Sequence, residues 1–267
     1  MPTLVKAAIL GVLQGLTEFL PVSSTAHLLI ANRLIGFDDP GGVFTVMIQL
    51  GSILAVMWLY RQKIVSVVAG LPSQPQARRF ATTVVLATLP SLVAGALFSK
   101  YVRSVLYGSL VVLALAFIAG GIIMLIVERF RPEADVMDVD SLPIGRGVAI
   151  GAFQALALIP GVSRSGGTIV AAMAMRVDRA AAAEFTFFLA IPFMWAAFAK
   201  DLFDMRHDLA SARGLEIGVG FVMAFVASAL VVRPFLNYVR RSGFAPFAWY
   251  RIALGLVLLA AVAAGWM

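Results

Sequence analysis

An all-α membrane protein is predicted, built as an inverted-topology repeat of six transmembrane helices plus two re-entrant helical hairpins. Three observations carry that expectation. Of the 267 residues, 61% are hydrophobic and only 13% charged, against about half and a quarter in soluble domains. Six apolar runs are long enough to cross a bilayer, which takes roughly 20 helical residues. Two further apolar segments are each broken by proline and hydroxyl residues, and they align with each other.

The six runs are Val43–Tyr60, Phe80–Ser99, Ser104–Val127, Phe185–Ala199, Leu215–Val232 and Trp249–Met267. The fourth is short unless its helix extends to the charged Glu184 and Lys200. Pro90 and Pro192 fall inside runs, where membrane helices tolerate a kink.

The broken segments are Ala7–Asn32 and Gly147–Met175. Each half spans about 10 to 14 residues, too short to cross alone. That pattern predicts hairpins that enter the membrane and return. Irregular backbone at that depth survives only inside protein or along a wet cavity. At an offset of 140 residues Gly11 meets Gly151, Gln14 meets Gln154, Leu16 meets Leu156, Val22 meets Val162 and Ser23 meets Ser163. Three runs follow each hairpin, and an odd number inverts the second copy. The chain therefore reads as a single membrane domain, 1–267, with repeat one at 1–127 and repeat two at 147–267. Inverted repeats with broken helices near the midplane recur in transporters.

The net charge of +7 does not point to nucleic acid, because the basic residues sit at the ends of apolar runs, where they flank membrane spans. With hairpins returning to their own side, Arg61, Lys63, Arg78, Arg79, Arg129, Arg131, Arg146, Arg176, Arg179, Arg240 and Arg241 share one face. Lys6, Arg33, Lys100, Arg103, Lys200, Arg206 and Arg213 share the other. The bias puts the first face in the cytoplasm and both termini outside. The hairpin tips should then meet in mid-membrane. No cysteine is present, which excludes a disulfide, a thiolate metal site and a cysteine nucleophile. A cleavable signal peptide is not expected, since Lys6 stands alone before a run broken by Glu18 and Pro21. The loop Glu128–Arg146 reads as solvated.

Polar residues at membrane depth are functional candidates by default. Gln14 and Glu18, four apart, share one face of the first half-helix and can converge on a ligand. After Pro21 come Ser23, Ser24 and Thr25. A serine at such a junction is often a helix N-cap, and Ser23 is read so at least as readily as a ligand contact. Ser24 and His27 share a face of the next half-helix. The other histidine, His207, sits in a charged loop. In the second hairpin Pro160 and Gly161 precede Ser163, Arg164, Ser165, Gly166, Gly167 and Thr168. The N–H groups that open that half-helix favour an anion, and Arg164 adds a planar donor fork suited to phosphate. Arg164 could instead only neutralise Glu18. Gln49 and Glu184 are weaker candidates.

These residues resemble the integral-membrane undecaprenyl-diphosphate phosphatases associated with bacitracin resistance. The match covers nearly the whole chain, with QGLTEFLPVSSTAHL at Gln14–Leu28 and PGVSRSGGT at Pro160–Thr168 as signatures. FTVMIQLGSILAV at Phe44–Val56 and AAAEFTFFLAIP at Ala181–Pro192 also look like family segments. The resemblance implies removal of the terminal phosphate of undecaprenyl diphosphate, which regenerates a lipid carrier for cell-wall synthesis. It also implies a divalent cation, Mg2+ or Ca2+, near Glu18 and Gln14. By motif position, Gln14 and Glu18 form the acidic-motif pair and Ser24 and His27 are the proposed nucleophile or base. Arg164 binds the diphosphate, and Ser163 and Thr168 are further site positions. Many members have Glu where this chain has Gln14.

Glu18, Ser24, His27 and Arg164 are thus the expected catalytic set. Gln14, Ser23, Thr25, Ser163, Ser165, Gly166 and Thr168 are the expected substrate contacts. Ser24 attacking with His27 as base, and His27 attacking or activating water, both remain open. The expected partners are the lipid diphosphate, membrane lipid and a homodimeric copy, in a bacterial inner membrane. The alternative is a transporter or flippase of phosphorylated polyprenyl lipids, which needs no nucleophile.

Overall fold

The computed structural model describes residues 1–39, 42–106, 109–204 and 213–265, so Arg206 and His207 lie outside the described residues. Within them the chain is helical, apart from turns and one isolated parallel bridge between Val136 and Val177. The helices are α1 (Thr3–Thr17), α2 (Ser24–Ile35), α3 (Val43–Leu59), α4 (Arg61–Gly70), α5 (Pro75–Leu106) and α6 (Leu110–Phe130). They continue with α7 (Ile144–Phe153), α8 (Arg164–Ala174), α9 (Arg179–Asp204), α10 (Gly214–Ser242) and α11 (Ala245–Ala263). Five of these are long and apolar enough to cross a membrane, or six if α3 and α4, bent by 71°, count as one.

Two boundaries differ from those expected. The first apolar run does not simply end at Tyr60. It bends there, with Tyr60 at φ −100° and ψ 15°, and a separate helix α4 follows. Arg61 holds the corner, donating to the Trp58 carbonyl at 2.8 Å with its guanidinium 5.3 Å from the Trp58 ring centre. Ser104 belongs to α5 rather than to the third run. The α6 start is set by Ser109, whose hydroxyl accepts from the Val112 N–H at 3.3 Å. The fourth run does extend past Glu184 and Lys200, because its polar ends cost little beyond the apolar centre.

α1 packs along α10, α7 along α5, and α6 along α11, while α3 lies between α10 and α9. The contacts are close because small residues line them. A Cβ on Gly11 would overlap the Gly220 carbonyl, and one on Gly151 would overlap the Ala87 carbonyl. Helices in lipid gain their association from such backbone approach, since lipid is as apolar as leucine. The main core gathers Phe19, Ile53, Met124, Ile150, Ile169, Phe185, Phe187 and Phe244 around the helix breaks.

The loop before α7 is docked, which corrects the solvated reading. Val136, Val139 and Leu142 are buried. Asp135 pairs with Arg146 and Arg176, and Lys63 pairs with Asp140. The hydrogen bond from Arg146 holds the Asp135 carboxyl below the usual carboxylate range. Apolar valines at alternating acidic positions anchor what the charge count alone suggested was free.

Candidate active site

Both broken segments place a strained serine at the break. Ser23 has φ 67° and Ser163 φ 71°, a region that non-glycine residues rarely occupy and that costs about 1–3 kcal/mol each. Their surroundings hold them there. The Ser23 carbonyl accepts from the His27 N–H at 3.2 Å and from His27 Nδ1 at 2.8 Å. Ser163 caps α8 by accepting from the Gly166 N–H at 3.1 Å. Ser23 occupies the N-cap position of α2 but makes no side-chain cap, contrary to the sequence expectation. The first-turn N–H groups of α2 thus have no side-chain partner, the condition in which a helix start receives an anion.

Between the two breaks lies a cavity of about 850 Å3 whose lining includes Glu18, Ser23, Ser24, Thr25, Ser163 and Arg164. Glu18 lies on its wall. One carboxylate oxygen, Oε2, accepts from the Ser24 hydroxyl at 2.5 Å and from Gln14 Nε2 at 2.8 Å. The other, Oε1, accepts from Arg164 Nη2 at 3.0 Å. Arg164 also donates through Nη1 to the Thr186 carbonyl at 3.4 Å. Gln49 joins the cavity wall farther out; Glu184 is not part of it.

The other expected site residues stand behind this wall. Gln14 is fully buried and reaches the site only through Glu18. Ser165 donates to the Leu20 carbonyl at 2.8 Å, tying the second hairpin to the first. Thr168 donates back to the Arg164 carbonyl at 2.9 Å and meets the Thr186 hydroxyl at 2.8 Å, which fixes α8 on α9. Gly166 leaves room for an arginine from α11.

His27 also faces away. A carbonyl can only accept, so Nδ1 carries the proton toward Ser23, and Nε2 accepts from the Tyr250 hydroxyl at 2.6 Å. The imidazole stacks on the Tyr250 ring at 5.6 Å and meets Phe117 edge-on. Both nitrogens are therefore engaged, and no hydrogen bond joins His27 to Ser24. Although Ser24 and His27 stand three apart in the sequence, the Ser24 hydroxyl turns back across the break to Glu18.

Mg2+ usually keeps several waters and is held by one or two carboxylates plus substrate phosphates rather than by an all-protein cage. Glu18 would supply the one carboxylate here, and its oxygens already carry a guanidinium, a hydroxyl and an amide. Among the described residues no group of three or more His, Cys, Asp or Glu could hold a metal. Gln14 offers only a buried, unpartnered Oε1.

Sequence reasoning missed Tyr250 and Arg251. Arg251 is 1% exposed and donates to the carbonyls of Pro21 and Val162 through Nη1 and of Ala116 and Gly161 through Nη2. The signal was available: a guanidinium inside the sixth apolar run is a functional candidate by its cost alone.

Relatives match the chain along nearly its whole length. A chain from Cereibacter sphaeroides named undecaprenyl-diphosphatase is 48% identical over 98% of each chain. One from Agrobacterium fabrum named undecaprenyl-diphosphatase 1 is 46% identical over 97% of each. Another, from Paracoccus denitrificans and named undecaprenyl-diphosphatase, is 45% identical over 98% of each. A family model described as bacitracin resistance protein BacA matches residues 7–257. With that match spanning both broken segments and the helices between them, the chain belongs to the BacA bacitracin resistance protein family.

Proposed function

We propose that this chain hydrolyses undecaprenyl diphosphate to undecaprenyl phosphate and inorganic phosphate, and so recycles the lipid carrier of cell-wall synthesis. The observation that carries the reading is the Glu18 carboxylate held between the Ser24 hydroxyl and Arg164 at a cavity wall. A nucleophile against a base, beside a fork of donors, is the constellation that phosphoryl transfer needs. The named activities of relatives nearly half identical point to the same substrate.

The diphosphate would meet Arg164 and the uncapped start of α2. Ser24 Oγ attacks the terminal phosphorus as its proton passes to Glu18 Oε2. The bond from that phosphorus to the bridging oxygen breaks, and the lipid monophosphate leaves with the electron pair. Glu18 passes that proton to the leaving phosphate, takes one from a water that attacks the phosphoserine, and returns it to Ser24 Oγ as the bond from phosphorus to Oγ breaks. Free Ser24, ionised Glu18 and inorganic phosphate result. Most of the rate comes from in-line positioning and charge stabilisation. Gln14 keeps Glu18 Oε2 aimed at Ser24. His27, Ser165 and Thr168 hold the two breaks in shape. A divalent cation held by Glu18 and the substrate phosphates would supply further charge neutralisation.

The isoprenoid tail would lie along the apolar part of the cavity, past Leu50, Ile53, Leu92, Gly95, Ala96 and Phe193. The inverted repeat of 1–127 and 147–267, with re-entrant hairpins, is the architecture this reading uses. It is supported by the reciprocal packing of α1 on α10 and α7 on α5 and by the paired positive-φ serines. The site would then open to the outer face of a bacterial inner membrane. A lipid transporter would have no use for the Ser24–Glu18 pair. Phosphate release from the lipid diphosphate by purified protein in detergent separates the two, since a transporter releases none.

A further inference from the structure

We propose that Arg251 is a positioning residue for the reaction, holding the two helix breaks in register from behind the cavity. The proposal rests on reading that cavity as the phosphoryl-transfer site. Arg251 projects from α11 into the space where the breaks converge and is 1% exposed. Among the described residues no carboxylate pairs with it. Instead Nη1 donates to Pro21 O at 3.2 Å and Val162 O at 3.0 Å. Nη2 donates to Gly161 O at 3.0 Å and Ala116 O at 3.1 Å. One guanidinium thus bridges carbonyls of the first break, the second break and α6 at once.

The pocket for this group is built rather than incidental. A Cβ on Gly120 of α6 would collide with Nη2, and a Cβ on Gly166 of α8 would lie 2.9 Å from Nη1. The guanidinium carbon stands 5.6 Å from the centre of the Phe117 ring. Two absent side chains and an aromatic face therefore shape a slot for a planar fork. Lysine could not reproduce it, because an ammonium is a point donor without two diverging edges.

The consequence for the reaction follows from what each break carries. Pro21 lies three residues before Ser24, and Val162 lies two before Arg164. The nucleophile and the diphosphate-binding fork sit on separate segments, joined in the cavity only by Glu18 and, at its edge, by the bond from Ser165 to Leu20. Arg251 fixes the distance between them without touching substrate. Loss of that bracket leaves Arg164 able to bind diphosphate but lets Ser24 drift from in-line attack. A misplacement of about 1 Å costs roughly 10²-fold in rate.

The experiment uses the full chain, which lacks cysteine. Spin labels on Leu29→Cys and Leu158→Cys, which line the cavity from the two hairpins, report the spacing of the breaks by dipolar coupling. The unlabelled variants Arg251→Lys and Gly120→Ala are assayed for phosphate release from a short-chain polyprenyl diphosphate. Gly120→Ala is a helix-favouring change whose direct effect is to expel the guanidinium. The expected result is a narrow coupling distribution in the parent and a broadened one in both variants. With it, kcat should fall about 10²-fold while KM moves less than roughly threefold, the split expected when an interaction of the transition state alone is lost. An unchanged distribution, or broadening without loss of kcat, overturns the proposal. Aggregation of both variants would make Arg251 a folding residue and overturn it too. If the parent releases no phosphate, the proposed function fails, while the coupling still judges the bracket.

Discussion

Arg164 Nη2 lies 3.0 Å from Glu18 Oε1, although 146 residues separate them in the chain. The pair joins one broken segment to the other, with both side chains less than a tenth exposed. A buried pair is weak grounds for stability, since desolvation offsets attraction. Its position beside the Ser24 hydroxyl gives it a use. If the pair only balanced charge, Arg164→Lys would keep most activity, and Arg164→Met with Glu18→Gln would be tolerated. If Arg164 grips the diphosphate, Arg164→Lys should lose at least about 10²- to 10³-fold in phosphate release, as when a preorganised oxyanion donor is removed, and the double variant should be at least as impaired as Glu18→Gln alone. Near wild-type turnover in the double variant, at matched thermal stability, would reduce the pair to a structural bridge.

His27 separates two mechanisms. As the general base its loss would cost about 10²- to 10⁴-fold. As a holder of the Ser23 carbonyl it contributes one hydrogen bond, worth roughly 1 kcal/mol or about tenfold at most. His27→Gln and Tyr250→Phe should therefore each retain at least about a tenth of wild-type kcat. A collapse of His27→Gln to the level of Ser24→Ala would return the imidazole to the chemistry.

Much of this was legible in the sequence because its signals were local. Residues such as Glu18 and Ser24 announce themselves by polarity in apolar surroundings, and the 140-residue offset paired Ser23 with Ser163 before their φ angles were known. What was not legible depends on side-chain direction across a break. Helical spacing put Ser24 with His27, yet the hydroxyl bonds backward to Glu18 and the imidazole forward to Tyr250. Arg251 was legible only as a costly charge inside an apolar run; what it holds was not, because its partners are carbonyls, which leave no trace in residue identity. The docking of the Glu128–Arg146 loop depends on ion pairs with residues as distant as Lys63 and Arg176.

The apolar arm of the cavity predicts chain-length selectivity. Gly95 lines it, and a Cβ there would meet nothing within 4 Å, so a larger side chain would project into open space without disturbing the fold. Gly95→Phe should lower kcat/KM for the long-chain lipid at least about tenfold while sparing a short-chain diphosphate, a pocket-filling discrimination. Equal losses on both substrates would move the tail elsewhere.

The charge bias of the loops predicts orientation. Single cysteines replacing Pro2 and Arg78, probed with an impermeant thiol reagent on spheroplasts, should label at position 2 and stay protected at position 78. The opposite pattern would turn the site toward the cytoplasm.

Ser24, proposed to take the phosphoryl, and Glu18, proposed as its base, are joined by a hydrogen bond of 2.5 Å. The direct measurement is phosphate release from undecaprenyl diphosphate by purified wild type, Ser24→Ala and Glu18→Gln of matched thermal stability. Wild type should yield one phosphate per lipid monophosphate formed, and each variant should fall by at least about 10³-fold, the scale on which loss of an activated nucleophile or its base is felt. Wild-type turnover by Ser24→Ala would contradict that role for Ser24.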